Sequence, residues 1–587
     1  VIPGKHVHLT NLDGSAITLP DGSQAYAVDN PHYLGPLIGA TKDKPVRILF
    51  RDLLPTGAKG DLFLPVDTTV MGSGMGPNMT NPDGTAMKDP HPQDPMCNNA
   101  STAQAKNVAC FTENRATLHL HGGITPWISD GTPHQWITPA GETTDYPKGV
   151  SVRNVPDMAD ACPGAQTFFY TNQQSARLMF YHDHAWGITR LNVYAGEAAA
   201  YTITDAAEQK LVTDGVIPPA ADTIPLVIQD KTFVPSDAQL ALTDPTWDTA
   251  KWGGMGQLWF PHVYLTTQNP GDASGVNPFG RWAYGPWFWP PTNAITNGPI
   301  ANPYYDAACD AQVSWCEPPI IPGVPNNSMT MEAFQDTPVV NGTAYPTMTV
   351  DPKAYRLRIL NASDDRFWNL QWYQADATGT EVALKAAEVA AAKTDPAAFP
   401  TPDTTLSPQG PNFVQFGTEG GFLPTPVTVP NQPITWVTDP RVFNAGNVDK
   451  HALLLAPAER ADTVVDFSAF AGKTLILDND APAAFPARDA RSDYYTDNAD
   501  LTTTGGAPTT PAGYGPNTRT IMQIKVSAVA PAAAYNVAKL NAAFAHHTDP
   551  ATGANAGVFE SSQPPIVVGQ GAYNTSYGST FRTAAPR

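Results

Sequence analysis

Two histidine pairs are the residues of this chain best spaced to do chemistry: His119-Leu120-His121 and, further along, His182-Asp183-His184. Residues two apart on a β-strand project from the same face, so each pair aims two imidazoles at one spot. Four imidazoles converging from two strands can hold metal, because imidazole nitrogen suits copper, zinc, iron and nickel. His119, His121, His182 and His184 are therefore the candidate metal ligands.

Strands must carry these pairs, and the composition favours strands. The chain has 587 residues with 59 prolines and 46 glycines, above the usual combined share of about 12%. These residues are scattered between apolar runs, a pattern of many short strands joined by turns rather than of helix bundles. The length calls for more than one domain. Residues 1–205 read as one all-β unit, with an early strand at Pro45 to Phe50, apolar residues from Arg177 to Tyr181 leading into the second pair, and Arg190 to Gly196 at its close. A second unit, 206–530, opens near Ile224 to Asp230 and is interrupted at about 247–325 by an aromatic, proline-laden insertion. It resumes with Pro338 to Thr343, Tyr355 to Asn361, Phe413 to Gly417 and Ala452 to Leu455, and ends near Val526. Two stretches read as helices, Glu381 to Lys393 and Ala532 to Ala545. Residues 531–587 otherwise read as a linker toward a domain beyond this chain.

The formal net charge is −20, and Lys and Arg do not cluster, which argues against a nucleic-acid partner. No run of eighteen or more apolar residues is present, so no membrane-spanning helix is expected. A chain that begins at Val1 fits removal of a signal peptide or trimming. Five cysteines favour two local disulfides, Cys97–Cys110 and Cys309–Cys316, with Cys162 left over, and this fits a secreted or periplasmic protein.

The flanks of the histidine pairs carry a resemblance. The first pair lies in Ala116-Thr117-Leu118-His119-Leu120-His121-Gly122-Gly123 and is followed by Asp130-Gly131 and Trp136-Ile137-Thr138-Pro139-Ala140-Gly141. The second lies in Met179-Phe180-Tyr181-His182-Asp183-His184-Ala185. Later phrases are Val340-Asn341-Gly342, Arg356-Leu357-Arg358-Ile359-Leu360-Asn361-Ala362 and Pro457-Ala458-Glu459-Arg460-Ala461-Asp462. Together these resemble the first two domains of the three-domain multicopper oxidases, and Asp61 to Thr68 with Leu118 to Gly141 is most similar to the large bacterial members that include manganese oxidisers. The resemblance implies an all-β fold of tandem cupredoxin-like Greek-key sandwiches or barrels with long loop insertions. It implies copper as cofactor, with His119 on the lone type 2 copper and His121, His182 and His184 on the type 3 pair of a trinuclear cluster. It further implies Asp130 as the acid beside the cluster that orders water and passes protons; Asp-Gly is also an ordinary turn dipeptide, and that reading stays open.

The family's third domain brings a His-Pro-x-His-x-His stretch and a His-Cys-His stretch, with the type 1 copper ligands. No cysteine here has a histidine neighbour, and the nine other histidines form no such array. The expectation is therefore a partner: a C-terminal cupredoxin domain or separate chain that completes the cluster and carries the type 1 copper. The implied activity couples one-electron oxidation of a reductant, either Mn(II) or another metal ion or a phenol-like organic, to reduction of O2 to water. The alternative is a catalytically inactive cupredoxin scaffold or copper-binding protein.

Other candidates weigh less. A dinuclear zinc hydrolase would follow its pair with an aspartate and a further histidine in a βα context, whereas Gly122-Gly123-Ile124 and Ala185-Trp186-Gly187 follow here. His6-Val7-His8 has no partner phrase, His546-His547 would face opposite ways on a strand, and His134 reads as near the site without ligating. Met71, Met75, Met79, Met87 and Met96 could bind Cu(I) or serve as adaptable apolar filling. Trp282 to Trp289 read as the cover of an interface between domains.

Overall fold

The computed structural model describes residues 15–16, 33–66, 72–74, 76, 97, 109–149, 161–243, 247–259, 300–301, 305–309, 320–321, 334–395, 398–483, 485, 490, 493–500, 509–548 and 557–562. His6 and His8, the five methionines from Met71 to Met96, Trp282 to Trp289 and Cys316 lie outside the described residues. The described chain is mostly β with several mixed sheets, as the all-β expectation had it, and is consistent with cupredoxin domains.

Six strands precede residue 205: β1 (Ile38–Thr41), β2 (Val46–Arg51), β3 (His119–His121), β4 (Ala165–Tyr170), β5 (Arg177–His182) and β6 (Ala198–Thr204). They form a sheet in the order β1-β6-β5-β3 and a separate β2-β4 pair. Leu118, Leu120, Met179, Tyr201 and Ile203 from the first meet Phe168 and Tyr170 of β4 and the half-buried Ile48 and Phe50 of β2, so the core lies between the two. The pleat then decides the site. Leu120 and its cross-strand partner Tyr181 face this core, while His119, His121, Phe180 and His182 share the opposite face. That face is covered too: Leu178 and Phe180 pack against Val227 and Leu360 of the second unit. A strand buried on both faces reads as a nearly continuous apolar run, which is why Leu178 to Tyr181 shows no alternation.

The strands after residue 223 are β7 (Thr223–Lys231), the short β8 (Ile300–Ala301) and β9 (Ile320–Ile321), β10 (Thr337–Val340), β11 (Thr343–Ala344), β12 (Thr347–Val350), β13 (Ala354–Asn361) and β14 (Trp368–Gln374). They continue with β15 (Phe413–Thr418), β16 (Gly421–Val429), β17 (Thr435–Trp436), β18 (Val448–Lys450), β19 (Leu453–Leu455), β20 (Arg460–Asp466), β21 (Thr474–Asn479) and β22 (Thr520–Val526). A seven-stranded sheet, β11-β10-β7-β13-β20-β15-β16, and a five-stranded sheet, β12-β22-β21-β14-β19, enclose one core. Trp368 and Trp372 lie wholly inside it, where burial of a large side chain contributes about 1.5–3 kcal/mol each.

One segment departs from the all-β reading. Residues Arg190 to Gly196, read as the close of a β unit, lie mainly in helix α1 (Thr189–Ala195), and β6 follows it. Leu191 and Tyr194 are buried at helical spacing, and Gly196, with φ +118°, ends the helix in a conformation that L side chains resist. A second helix, α2 (Ala206–Thr213), starts at Asp205, whose carboxylate accepts from the Glu208 N–H at 2.8 Å. The stretches read as helical contain Ala386–Ala392 and Val537–Phe544, each shorter than the sequence suggested. Cys97 and Cys110 are disulfide-bonded, Cys162 is free and exposed, and Cys309 is also disulfide-bonded. Among the described residues no helix is long and apolar enough to cross a membrane.

Candidate metal centre

Strand β3 runs antiparallel to β5, with His119 opposite His182 and His121 opposite Phe180. This register brings one ring nitrogen from each of His119, His121 and His182 within 4.8 Å of the others. Strand β5 ends at His182, so the pleat does not aim His184. Its ring joins the group by stacking on His119 at 4.6 Å between centroids, and lies 5.5 Å from His182. All four expected histidines therefore meet in one pocket. Among the described residues His119, His121 and His182 are the one group of His, Cys, Asp or Glu side chains spaced to hold a metal ion, with His184 stacked beside it on His119.

The ring orientations come from backbone carbonyls. His119 Nδ1 donates to Asp130 O at 2.6 Å, His182 Nδ1 to Asp183 O at 2.5 Å, and His184 Nδ1 to Gly131 O at 3.0 Å. A proton held on Nδ1 leaves the lone pair on Nε2, so these three rings present Nε2 as the ligating atom. His121 is turned the other way, its Nδ1 lying 3.3 Å from His182 Nε2. It is held by stacking on Phe180, 4.5 Å between centroids at 25°.

Asp130 and Gly131 do more than turn the chain. Their successive carbonyls fix His119 and His184, which come from different segments. Gly131 has φ +68°, and a Cβ there would sit 2.1 Å from Leu118 O, so the turn admits glycine. The Asp130 carboxylate is tied to Thr125 Oγ1 at 2.8 Å and lies 3.8 Å from His119 Nδ1, with about a third of its side chain exposed at 35%. Asp130 is thus a turn residue whose carboxylate lies beside His119.

Burial favours the neutral form of His121, His182 and His184. It pushes His182 down to about 3 and His121 down to about 4, with the Arg460 guanidinium and the neighbouring histidines adding to the effect at His121. His184 is shifted down as well, again chiefly by burial. Neutral rings offer lone pairs near pH 7 without first losing a proton. The donor set and the carbonyl anchors therefore fit a bound transition metal.

Sequence reasoning missed several residues around this group. Asp183, the middle residue of its pair, points away from the pocket. Its carboxylate accepts from the Thr117 and Ala185 N–H groups and from Asn192 Nδ2, all at 2.9 Å, and so ties the end of β5 to β3 and α1. Arg460 enters from β20 with its guanidinium 5.6 Å from the Phe180 ring, donates to Leu178 O at 3.3 Å, and would lie 2.8 Å from a Cβ at Gly122. A cavity of about 510 Å³ opens beside His121 and His182 between the two units. Asp364 lines its far wall, and burial, Asp365 and Asp230 push that carboxyl up to about 8. The alternating signal that located the histidines is silent about such partners, because they come from segments distant in sequence.

Among the described residues, the remaining histidines are not part of this group. His134 packs on Trp186 at 4.7 Å, close to the pocket but not in it, and His546 pairs with Glu560 at 2.8 Å.

No protein-family model matches the chain. In sequence it is 26% identical over 370 residues to a laccase of Bacillus subtilis (strain 168), covering 63% of this chain and 43% of that protein. It is also 26% identical over 447 residues to a laccase of Bacillus stratosphericus, covering 76% of this chain and 52% of that one. The chain thus spans about half the length of these curated relatives. Among solved structures, a variant of the McoA multicopper oxidase from Aquifex aeolicus overlays with a TM-score of 0.37 at 18% identity, covering 86% of this chain and 57% of that one. In sequence the chain is thus similar to laccases and multicopper oxidases.

Proposed function

We propose that this chain is the N-terminal portion of a multicopper oxidase that couples one-electron oxidation of a reductant to four-electron reduction of O2 to water. The observation that carries the reading is the convergence of His119, His121 and His182 with His184 stacked on His119, three of the four rings anchored at Nδ1 by carbonyl oxygens. His119 would hold a type 2 copper, and His121, His182 and His184 the type 3 pair. Copper held by these histidines would supply one-electron Cu(I)/Cu(II) redox chemistry. The chain's own residues orient the ligands, burial favours the neutral form of His121, His182 and His184, and Asp130 would be the acid beside His119 that passes protons.

The same proposal assigns the remaining cluster ligands and the type 1 copper to a C-terminal cupredoxin domain or separate chain. The division of this chain into cupredoxin domains at 1–205 and 206–530, with 531–587 leading to that partner, belongs to it. So does a secreted or periplasmic location, supported by the Cys97–Cys110 disulfide. The reductant class is Mn(II) or another metal ion, or a phenol-like organic; the net charge of −20 favours a cation. Oxygen uptake by the copper-loaded full-length protein with Mn(II) or a phenol as reductant tests the reading. Uptake that disappears in His182→Ala is the expected result. Copper retention at the four histidines without any oxygen uptake would mean a copper-binding scaffold instead.

A further inference from the structure

Arg460, the first residue of β20, extends from the second unit to the histidine-bearing strands of the first. It is 5% exposed. Its Nε donates to Leu178 O of β5 at 3.3 Å and its Nη1 to Ala458 O at 2.5 Å. The guanidinium carbon lies 5.6 Å from the centre of the Phe180 ring, which stacks on His121 at 4.5 Å and on His182 at 5.2 Å. Nη2 approaches the turn that follows β3, where a Cβ at Gly122 would sit 2.8 Å from it. Glycine next to His121 therefore leaves the room that the cation occupies.

This cation is held differently from other buried arginines of the second unit. Arg356 and Arg358 share Glu208 and Asp462, Arg366 meets Asp230 at 3.3 Å, and Arg519 meets Asp493 at 2.7 Å. The Arg460 guanidinium donates to carbonyl oxygens and, among the described residues, forms no ion pair. Glu419 accepts from the Arg460 backbone N–H at 3.2 Å and is itself exposed. Burying a charge without a paired carboxylate is costly, and a neutral amide could donate to the same carbonyls. What the charge adds at this place is a field at the neighbouring imidazoles, weakly screened because the group is buried.

We propose that Arg460 is a positioning residue for the copper that the histidines would hold: its unpaired charge, set beside Phe180 and Gly122, favours Cu(I) over Cu(II) in the pocket. The proposal rests on the copper reading of that pocket. Repulsion scales with the charge of the ion, so a fixed cation opposes Cu(II) about twice as strongly as Cu(I). Across roughly 10 Å at an effective dielectric of about 20, the difference is about a factor of ten in relative affinity. Such a bias raises the reduction potential of the site.

The test is a pair of competition titrations on the full-length protein, with a Cu(II) chelator in air and a Cu(I) chelator under argon. Only copper that His182→Ala fails to bind is counted. Arg460→Gln keeps a donor for Leu178 O without the charge, and Arg460→Lys keeps the charge without the planar fork. In Arg460→Gln the ratio of Cu(II) to Cu(I) affinity is expected to rise about tenfold, with Cu(II) held more tightly than in the parent protein. In Arg460→Lys the ratio is expected to stay within about threefold of the parent value. A purely structural role predicts the opposite sign, since damage to the pocket weakens the binding of both ions. An unchanged ratio in Arg460→Gln, weaker Cu(II) binding there, or an equal rise in Arg460→Lys overturns the proposal. Gly122→Ala, whose Cβ displaces Nη2, gives a second route should Arg460→Gln fail to fold; a ratio that does not rise in it overturns the proposal too. A parent protein that binds no copper in this pocket overturns the oxidase reading first, and this inference with it.

Discussion

Two clusters of four titratable side chains in this molecule are built on opposite plans. On β13, Arg356 and Arg358 meet Glu208 of α2 and Asp462 of β20. Arg356 grips Asp462 through Nε at 2.7 Å and Nη2 at 2.5 Å, and Glu208 through Nη1 at 2.5 Å, while Arg358 donates to Glu208 as well. Charges are matched within the knot, two against two, and Asp462 stays below the ordinary carboxylate range because both guanidinium groups oppose the effect of its burial. In the histidine pocket four bases of one kind face each other without an acid among the rings. The knot matches its own charges; the pocket gathers ring nitrogens that a metal ion would engage. That contrast identifies the pocket as a site and the knot as a fastener.

The contrast can be broken from either side. His182→Ala is expected to abolish copper retention and oxygen uptake while shifting the denaturation midpoint by no more than about 1 kcal/mol, because the ring has no charged partner to abandon. Arg356→Ala is expected to do the reverse. It strands Glu208 and Asp462 in a dry interior, which costs about 3–5 kcal/mol by urea denaturation, with the histidine geometry untouched. A variant pair that failed to separate in this way would erase the distinction between site and fastener.

Smaller effects sharpen it. Gly131→Ala forces a Cβ against Leu118 O and displaces the two carbonyls that hold His119 and His184. Copper affinity measured against a competing chelator should fall about 10–100-fold, the usual cost of losing a ligand's anchor. The smallest effect concerns Asp478, whose carboxyl is held well above its unfolded value of 3.8, chiefly by burial. The folded state then binds the more protons, so stability falls as pH rises above 3.8. Asp478→Asn removes that term. Its denaturation midpoint should exceed that of the parent protein at pH 7, and the gap should close as the pH approaches 4.

The site was legible because its signal is local. Two residues apart on a strand is a spacing that sequence displays directly, and the turn at Asp130-Gly131 announces itself by its glycine. The β class was legible for a similar reason, in the scatter of proline and glycine between apolar runs. What escaped notice depends on contacts across long stretches of chain. Arg460 reaches Phe180 and Gly122 from the second unit, and Asp364 shares a cavity with His121; no pattern within either segment marks them. Residues Arg190 to Gly196 read as the close of an all-β unit, yet the burial of Leu191 and Tyr194 and the glycine at 196 place most of them in a helix. His184 was aimed by strand pleat in the sequence reading, and a carbonyl from a neighbouring turn aims it in the fold.

The central claim is that four imidazoles form one metal site with a fixed pattern of ligating atoms. Anomalous diffraction at the copper edge from copper-loaded crystals tests it most directly. The account predicts copper peaks bonded to Nε2 of His119, His182 and His184 and to Nδ1 of His121. Copper absent from that pocket, or bound through the Nδ1 atoms that the carbonyls of Asp130, Asp183 and Gly131 occupy, would contradict it.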